Sequence, residues 1–339
     1  MLNLNYKVLF LLLLSDLLLH NRIGYSRPQL KFDLPIDCKV GKTCWVVNLV
    51  DLEKSKKVLD YQCRKQSYDG HKGIDIRIRD LTSMNRGVFV LAPAKGIVKA
   101  IRQNEMDRDI RLPLSPNINQ KECGNGIILT HGDNWETQYC HLKRASILVK
   151  KGSMVTKGQK LGLVGLSGKT EFPHLHFSVR HNGFVIDPFI GESTLRLCRP
   201  SKLAMWSSGV LKELDMPLSN IYNFGFSAEV PVKGKVFLGS YRDKILSTKA
   251  PSIILWGELN RPKSGQILSL KIFDPVGKIV LRKKIEIRRN QARYFFYAGK
   301  KRTRSFLKEG IYRGQIKLIG SNFEGNFREI KRELPILIE

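Results

Sequence analysis

The sequence predicts an all-β protein of two domains with very little helix. Three observations carry that prediction. Apolar residues fall in short runs, many of them alternating with polar ones, as strands with one buried face require. Gly, Asn, Asp and Pro separate the runs, and a 3.6-residue period is nearly absent. The length of 339 residues exceeds one ordinary core at roughly 150 residues per domain. With 42% hydrophobic and 9% aromatic residues and no Gly, Pro or Ser bias, the chain is not disordered, collagen-like or coiled-coil.

Taken in order, residues 1–26 read as a secretory signal. Lys7 supplies the positive start, Val8–Leu19 the apolar stretch, and Gly24 and Ser26 the small residues before a cut after Ser26. Asp16 interrupts the stretch and His20-Asn21-Arg22 makes a polar approach to the cut. The stretch is too short to cross a bilayer, so no transmembrane segment is expected in the mature chain. Residues 27–64 read as a leader with Pro28, Pro35, two close cysteines and one strand, Cys44–Val50. Residues 65–192 form the first domain, with strands at Gly73–Ile78, Val88–Leu91, Gly96–Ile101, Gly126–Thr130, Thr137–His141, Lys160–Val164 and His174–Arg180. A polar stretch, 102–122, interrupts them and is long for a loop in a compact domain, which marks a functional rim or an insertion.

Residues 193–229 read as a linker with a short helix. Residues 230–339 then carry strands at Ser252–Asn260, Ile267–Pro275, Lys278–Ile287, Ala292–Ala298, Gly310–Gly320 and Asn326–Ile338. Asp274-Pro275-Val276-Gly277 is a turn between two of them. This spacing suggests an immunoglobulin-like sandwich. It holds no titratable cluster, so a structural or docking role is expected.

The 58 basic and 30 acidic residues leave a net charge of +28. It is spread evenly, +13 over residues 1–200 and +15 over 201–339, which favours a polyanionic neighbourhood over one nucleic-acid-binding arm. A lysine-rich bias without a partner would look the same. No nucleic-acid-binding signature occurs, and an exported protein is not expected to meet DNA. All six cysteines follow the signal, an even count that an oxidising compartment allows, and no C-x-x-C pair occurs. Cys123 and Cys140 flank a hairpin and are the expected disulfide; Cys38 with Cys44 is a second candidate, and free buried thiols are the alternative.

Chemistry concentrates in a few of the seven histidines. His71 and Asp75 stand four apart, so along an extended chain they face the same side. His174 and His176 share one face of a strand while Leu175 and Phe177 share the other, and His141 ends a third strand. Imidazole and carboxylate donors suit zinc, and three protein ligands with an open position are the layout of a catalytic site. His20, His131 and His181 draw no role.

The segments His71-Lys72-Gly73-Ile74-Asp75, Ala92-Pro93-Ala94-Lys95-Gly96-Ile97-Val98, Gly124-Asn125-Gly126, Tyr139-Cys140-His141-Leu142, Gly158-Gln159-Lys160-Leu161-Gly162, Pro173-His174-Leu175-His176-Phe177 and Asp187-Pro188 occur in that order. In these, the chain from about 65 to 190 resembles the lysostaphin-like (LytM-type) zinc metallopeptidases, a family of cell-wall endopeptidases. The resemblance implies a β-sheet groove with one zinc ion held by His71, Asp75 and His176, and His141 and His174 as unligated catalytic histidines. Cys140 and Phe172 depart from the family pattern, which has small residues there. Together with the export signal, the resemblance implies an exported endopeptidase that cuts peptide cross-links of peptidoglycan near an anionic envelope surface, in the periplasm first and as a secreted enzyme second. Two other readings remain open: a metal-free relative that binds wall or activates an amidase, and a secreted protease of non-wall proteins.

Overall fold

The computed structural model describes residues 30–113, 118–215, 219–302, 307–321 and 327–339; the signal read at 1–26 lies outside them. The alternating runs of the first half become β1 (Cys44–Asn48), β2 (Ile74–Ile78), β3 (Phe89–Leu91), β4 (Gly96–Arg102), β5 (Asn125–Thr130), β6 (Trp135–Leu142), β7 (Met154–Val155), β8 (Lys160–Leu163), β9 (His174–His181) and β10 (Phe184–Ile186). Eight of these form one sheet in the order β1-β2-β9-β6-β5-β4-β7, with β10 paired to β9, and β3 and β8 form a separate ribbon. All the pairings that build the large sheet are antiparallel. One short helix, α1 (Leu81–Arg86), follows β2 and is capped by Asp80, whose carboxylate accepts from Ser83 N.

Period-2 alternation decides which face is which. On β9, Leu175 and Phe177 are fully buried while His174 and His176, alternating with them, line the opposite face. Beneath β9, Phe177 packs against Phe32 and Trp206, and Trp206 against Phe189, which stacks on Tyr61. Phe32 and Tyr61 come from the segment read as a leader, and Trp206 from the one read as a linker. Phe32 also pairs with Trp206 through a short parallel bridge. Both segments therefore help build the first core.

The linker reading needs a boundary change. It contains the expected helix, α2 (Ser208–Leu214), but also a full strand, β11 (Asn220–Ser227). A third helix, α3 (Lys233–Leu238), comes next, then β12 (Ile245–Leu246), β13 (Ser252–Asn260), β14 (Ile267–Phe273), β15 (Ile279–Glu286), β16 (Arg293–Lys301), β17 (Gly310–Ser321) and β18 (Phe327–Ile338). These make two sheets, β11-β13-β16 and β12-β18-β17-β14-β15, that share one apolar core. The result is a β-sandwich that begins at β11 rather than at residue 230. Every residue of the central strand β13 is buried. From the neighbouring β11, Tyr222 meets Trp45 edge-on, and Arg77 lies 3.8 Å over the Tyr222 ring.

All six cysteines are paired, as Cys38–Cys44, Cys63–Cys198 and Cys123–Cys140. Both expected candidates are present, and no thiol is free.

Candidate metal centre

Three neighbouring strands, β2, β9 and β6, bring the predicted residues together. Asp75 on β2 stands directly opposite His176 on β9, and His176 opposite Cys140 on β6, next to His141. His71 sits just before β2. Its Nε2 lies 3.1 Å from Asp75 Oδ1 and 3.1 Å from His176 Nδ1, and His176 Nδ1 lies 2.8 Å from Asp75 Oδ1. These three residues form a group whose ligand atoms all lie within 4.8 Å of one another.

The donor set fits a cation. His71 Nδ1 lies 2.7 Å from the Leu49 carbonyl, which can only accept, so Nδ1 carries the proton and Nε2 of the neutral ring presents a lone pair. That lone pair faces a carboxylate oxygen and a second imidazole nitrogen. A cation among these atoms would draw all three lone pairs inward; without one, a proton on His176 Nδ1 bridges to Asp75 Oδ1. Metal–ligand bonds of about 2.0–2.1 Å at tetrahedral angles would put zinc ligands roughly 3.3 Å apart, close to the spacing found.

The electrostatics likewise favour a positive charge among these atoms, one that a proton supplies where no cation does. Burial opposes charge on His71, but Asp75 beside it raises the imidazole above its ordinary range. Burial also pushes the Asp75 carboxyl up. The charges of His71 and His174 and the hydrogen bonds of His174 and His176 outweigh that and hold it well below the usual carboxylate range. Asp75 is therefore an anion in an almost fully buried position.

Two more imidazoles complete the site. His174 Nε2 lies 3.4 Å from Asp75 Oδ1, and the rings of His141 and His174 are 4.6 Å apart. His141 Nδ1 is 2.7 Å from Ser167 O, and His174 Nδ1 is 2.9 Å from Phe172 O. Each ring thus turns Nδ1 to a carbonyl and Nε2 into the site, that of His174 facing Asp75 Oδ1. Burial, then the imidazoles of His174 and His176, hold His141 well below the ordinary histidine range, so it is neutral. His141 also adopts a left-handed backbone, φ 61°, uncommon for such a side chain. Hydrogen bonds from His141 N to Cys123 O and from Gly165 N to His141 O hold it there, beside the Cys123–Cys140 disulfide.

Several supporting residues carried no signal of their own in the sequence. Asn48 Nδ2 donates to Asp75 Oδ2 at 2.7 Å, and the Leu49 carbonyl orients His71; both come from the segment read as a leader. Ser167 and Thr170 orient His141 and His174. The stretch 102–122 anchors that pair of residues: Arg108 N donates to Leu166 O, Ile110 N to Thr170 O, and Leu166 N to Asp107 Oδ1. Gly73 is required by close approach, since a Cβ there would lie 2.7 Å from His176 Nε2. Of the residues given no role, His131 is held by Lys95 O and Thr137 Oγ1, and His181 stacks on Trp135.

Residues 69–188 match peptidase family M23. Over that segment, about a third of the chain, the protein is similar to peptidase family M23. Peptidoglycan DD-endopeptidase ShyA of Vibrio cholerae is 34% identical over 101 residues, 30% of this chain and 23% of that protein. Cell division protein DipM of Caulobacter vibrioides is 41% identical over 64 residues, 19% of this chain and 10% of that one. The chain thus spans under a quarter of the length of these relatives. Among solved structures, the catalytic domain of the antimicrobial peptidase lysostaphin from Staphylococcus simulans is 26% identical, with 35% of this chain and 76% of that one covered at a TM-score of 0.26.

Proposed function

We propose that this protein is an exported zinc metalloendopeptidase that hydrolyses the peptide cross-links of peptidoglycan. The observation that carries the reading is the convergence of His71 Nε2, Asp75 Oδ1 and His176 Nδ1 beside two further imidazoles. The match of residues 69–188 to peptidase family M23 and the endopeptidase names of several relatives support it.

A zinc ion held by His71, Asp75 and His176 would lower the pKa of a water toward about 7 and polarise the scissile carbonyl. The remaining steps fall to the chain's own groups. His141 and His174, with Nδ1 fixed on carbonyls, each accept a proton at Nε2 and, once protonated, donate from the same atom. One takes the proton of the attacking water; the other stabilises the developing oxyanion or protonates the leaving amine. Tyr68, 54% exposed and tilted over the His71 ring at 4.5 Å, and Phe172, 4.7 Å from the His174 ring, would flank an extended peptide.

Three disulfides support passage into an oxidising compartment, the periplasm first and the exterior second. No helix among the described residues is long and apolar enough to cross a membrane. The net charge of +28 suits an anionic envelope surface.

The test is digestion of purified peptidoglycan with and without a chelator, followed by mass analysis of the fragments. Chelator-sensitive loss of cross-linked dimers is expected. An untouched wall with zinc bound would overturn the substrate assignment and favour a silent wall-binding relative or a protease of other proteins.

A further inference from the structure

Among its described residues the sandwich has no cluster of candidate metal ligands, yet one of its side chains ends beside the metal centre. β13 finishes at Asn260, and Arg261 turns the chain in a left-handed conformation, φ 44°. Its backbone is tied on both sides: Arg261 N donates to Ala292 O at 2.9 Å and Ser219 Oγ to Arg261 O at 2.8 Å. From this anchored position the guanidinium crosses to the first domain. Nε donates to Val47 O at 2.9 Å, Nη1 to Lys65 O at 2.8 Å, and Nη2 to Asn48 Oδ1 at 2.5 Å.

The last contact decides how Asn48 is oriented. Arginine can only donate and the Asp75 carboxylate can only accept, so one amide orientation satisfies both: Oδ1 to Arg261 and Nδ2 to Asp75 Oδ2. Flipping the amide would set oxygen against oxygen at the carboxylate and N–H against N–H at the guanidinium. With Oδ2 held, Asp75 presents Oδ1 to His71 and His176. We propose that Arg261 is a positioning residue for the metal centre, acting through Asn48 on Asp75, so that the sandwich completes the site of the first domain. This inference rests on the zinc reading above.

Arg242 provides the control. It too crosses from the sandwich, pairing with the Asp80 carboxylate and with Asn223 Oδ1 at 3.2 Å, but Asp80 caps α1 and touches none of the metal-site residues. The experiment compares Arg261→Met, Arg242→Met, Asn48→Leu and the Arg261→Met/Asn48→Leu pair in the full chain. Zinc affinity is read by competition with a chelating dye, alongside thermal unfolding, kcat and KM. Loss of an outer partner of a metal ligand typically costs 10- to 100-fold in affinity. Arg261→Met and Asn48→Leu should each weaken zinc by that factor and lower kcat more than they raise KM. The pair should be no worse than either alone. Arg242→Met should lower the unfolding temperature with zinc affinity unchanged.

Unchanged zinc affinity in Arg261→Met, or equal weakening in Arg242→Met, overturns the inference, as does full additivity in the pair. If Arg261→Met does not fold, Arg261→Lys replaces it: a lysine cannot hold three carbonyl oxygens in a fork, so an intermediate weakening is expected and none would refute. Failure of the parent protein to bind zinc tightly would instead sink the zinc reading itself.

Discussion

Asp187→Asn tests a buried charge that the proposed chemistry does not use. Asp187 is fully buried; its Oδ1 accepts from Phe189 N at 2.7 Å, and its Oδ2 has no partner. Burial, and behind it the Asp60 carboxylate, push this carboxyl from the ordinary 3.8 up to about 7, against the pull of hydrogen bonds from the Phe189 and Ile190 backbone. At 1.36 kcal/mol per pH unit, that displacement corresponds to about 4 kcal/mol. The folded value lies above the unfolded one, so the native state favours the protonated form. Its contribution is whole below pH 3.8 and is lost as pH rises to about 7. Asparagine keeps an acceptor for Phe189 N and cannot ionise. Urea unfolding of both proteins at steps from pH 4 to 8 gives the difference in stability, in which all other titrations cancel. The natural protein should lose up to about 4 kcal/mol relative to Asp187→Asn across that window, with no further change above pH 7. A difference that stays constant, or that grows in favour of the natural protein, would refute the reasoning.

Three further outcomes are expected. His176→Ala should abolish both zinc binding and turnover, whereas His141→Ala should keep zinc and lower kcat by about 10²–10⁴, as for a lost acid–base group; loss of zinc from the His141 variant would overturn the ligand assignment. The Cys63–Cys198 bridge spans 135 residues, and chain entropy predicts a contribution of about 5 kcal/mol, so the double serine variant should show that loss on urea unfolding under non-reducing conditions, and a loss below about 1 kcal/mol would contradict the pairing. Deleting residues 31–64 removes β1, Phe32 and the Leu49 carbonyl on His71, so it should unfold the first domain and abolish activity; a folded, active product would refute the structural role given to this segment.

The residues of the centre were legible because their pattern is local. On β9 the period of two puts His174 and His176 on one face and Leu175 and Phe177 on the other whatever the rest of the fold does. β11 was hidden for the opposite reason. It is covered on both faces, and buried Asn220 and Asn223 break the apolar run, so neither alternation nor hydrophobicity marks it. α1 and α3, six residues each, are too short to display a helical period.

By itself, then, the sequence determined the β class and the order of the strands, and it pointed to His71, Asp75, His141, His174 and His176, which the fold brings together. Backbone periodicity and ligand chemistry act over a few residues and can be read from them. Only the tertiary structure decided that Asn48 and Leu49 hold the metal-site residues, that Trp206 underlies β9, that Cys63 pairs with Cys198, and that Arg261 reaches Asn48 from the sandwich. Each of those joins segments far apart in the chain. Their pairing is set by shape, by buried area and by which donors and acceptors remain to be satisfied once the sheets have packed, and no local pattern encodes it.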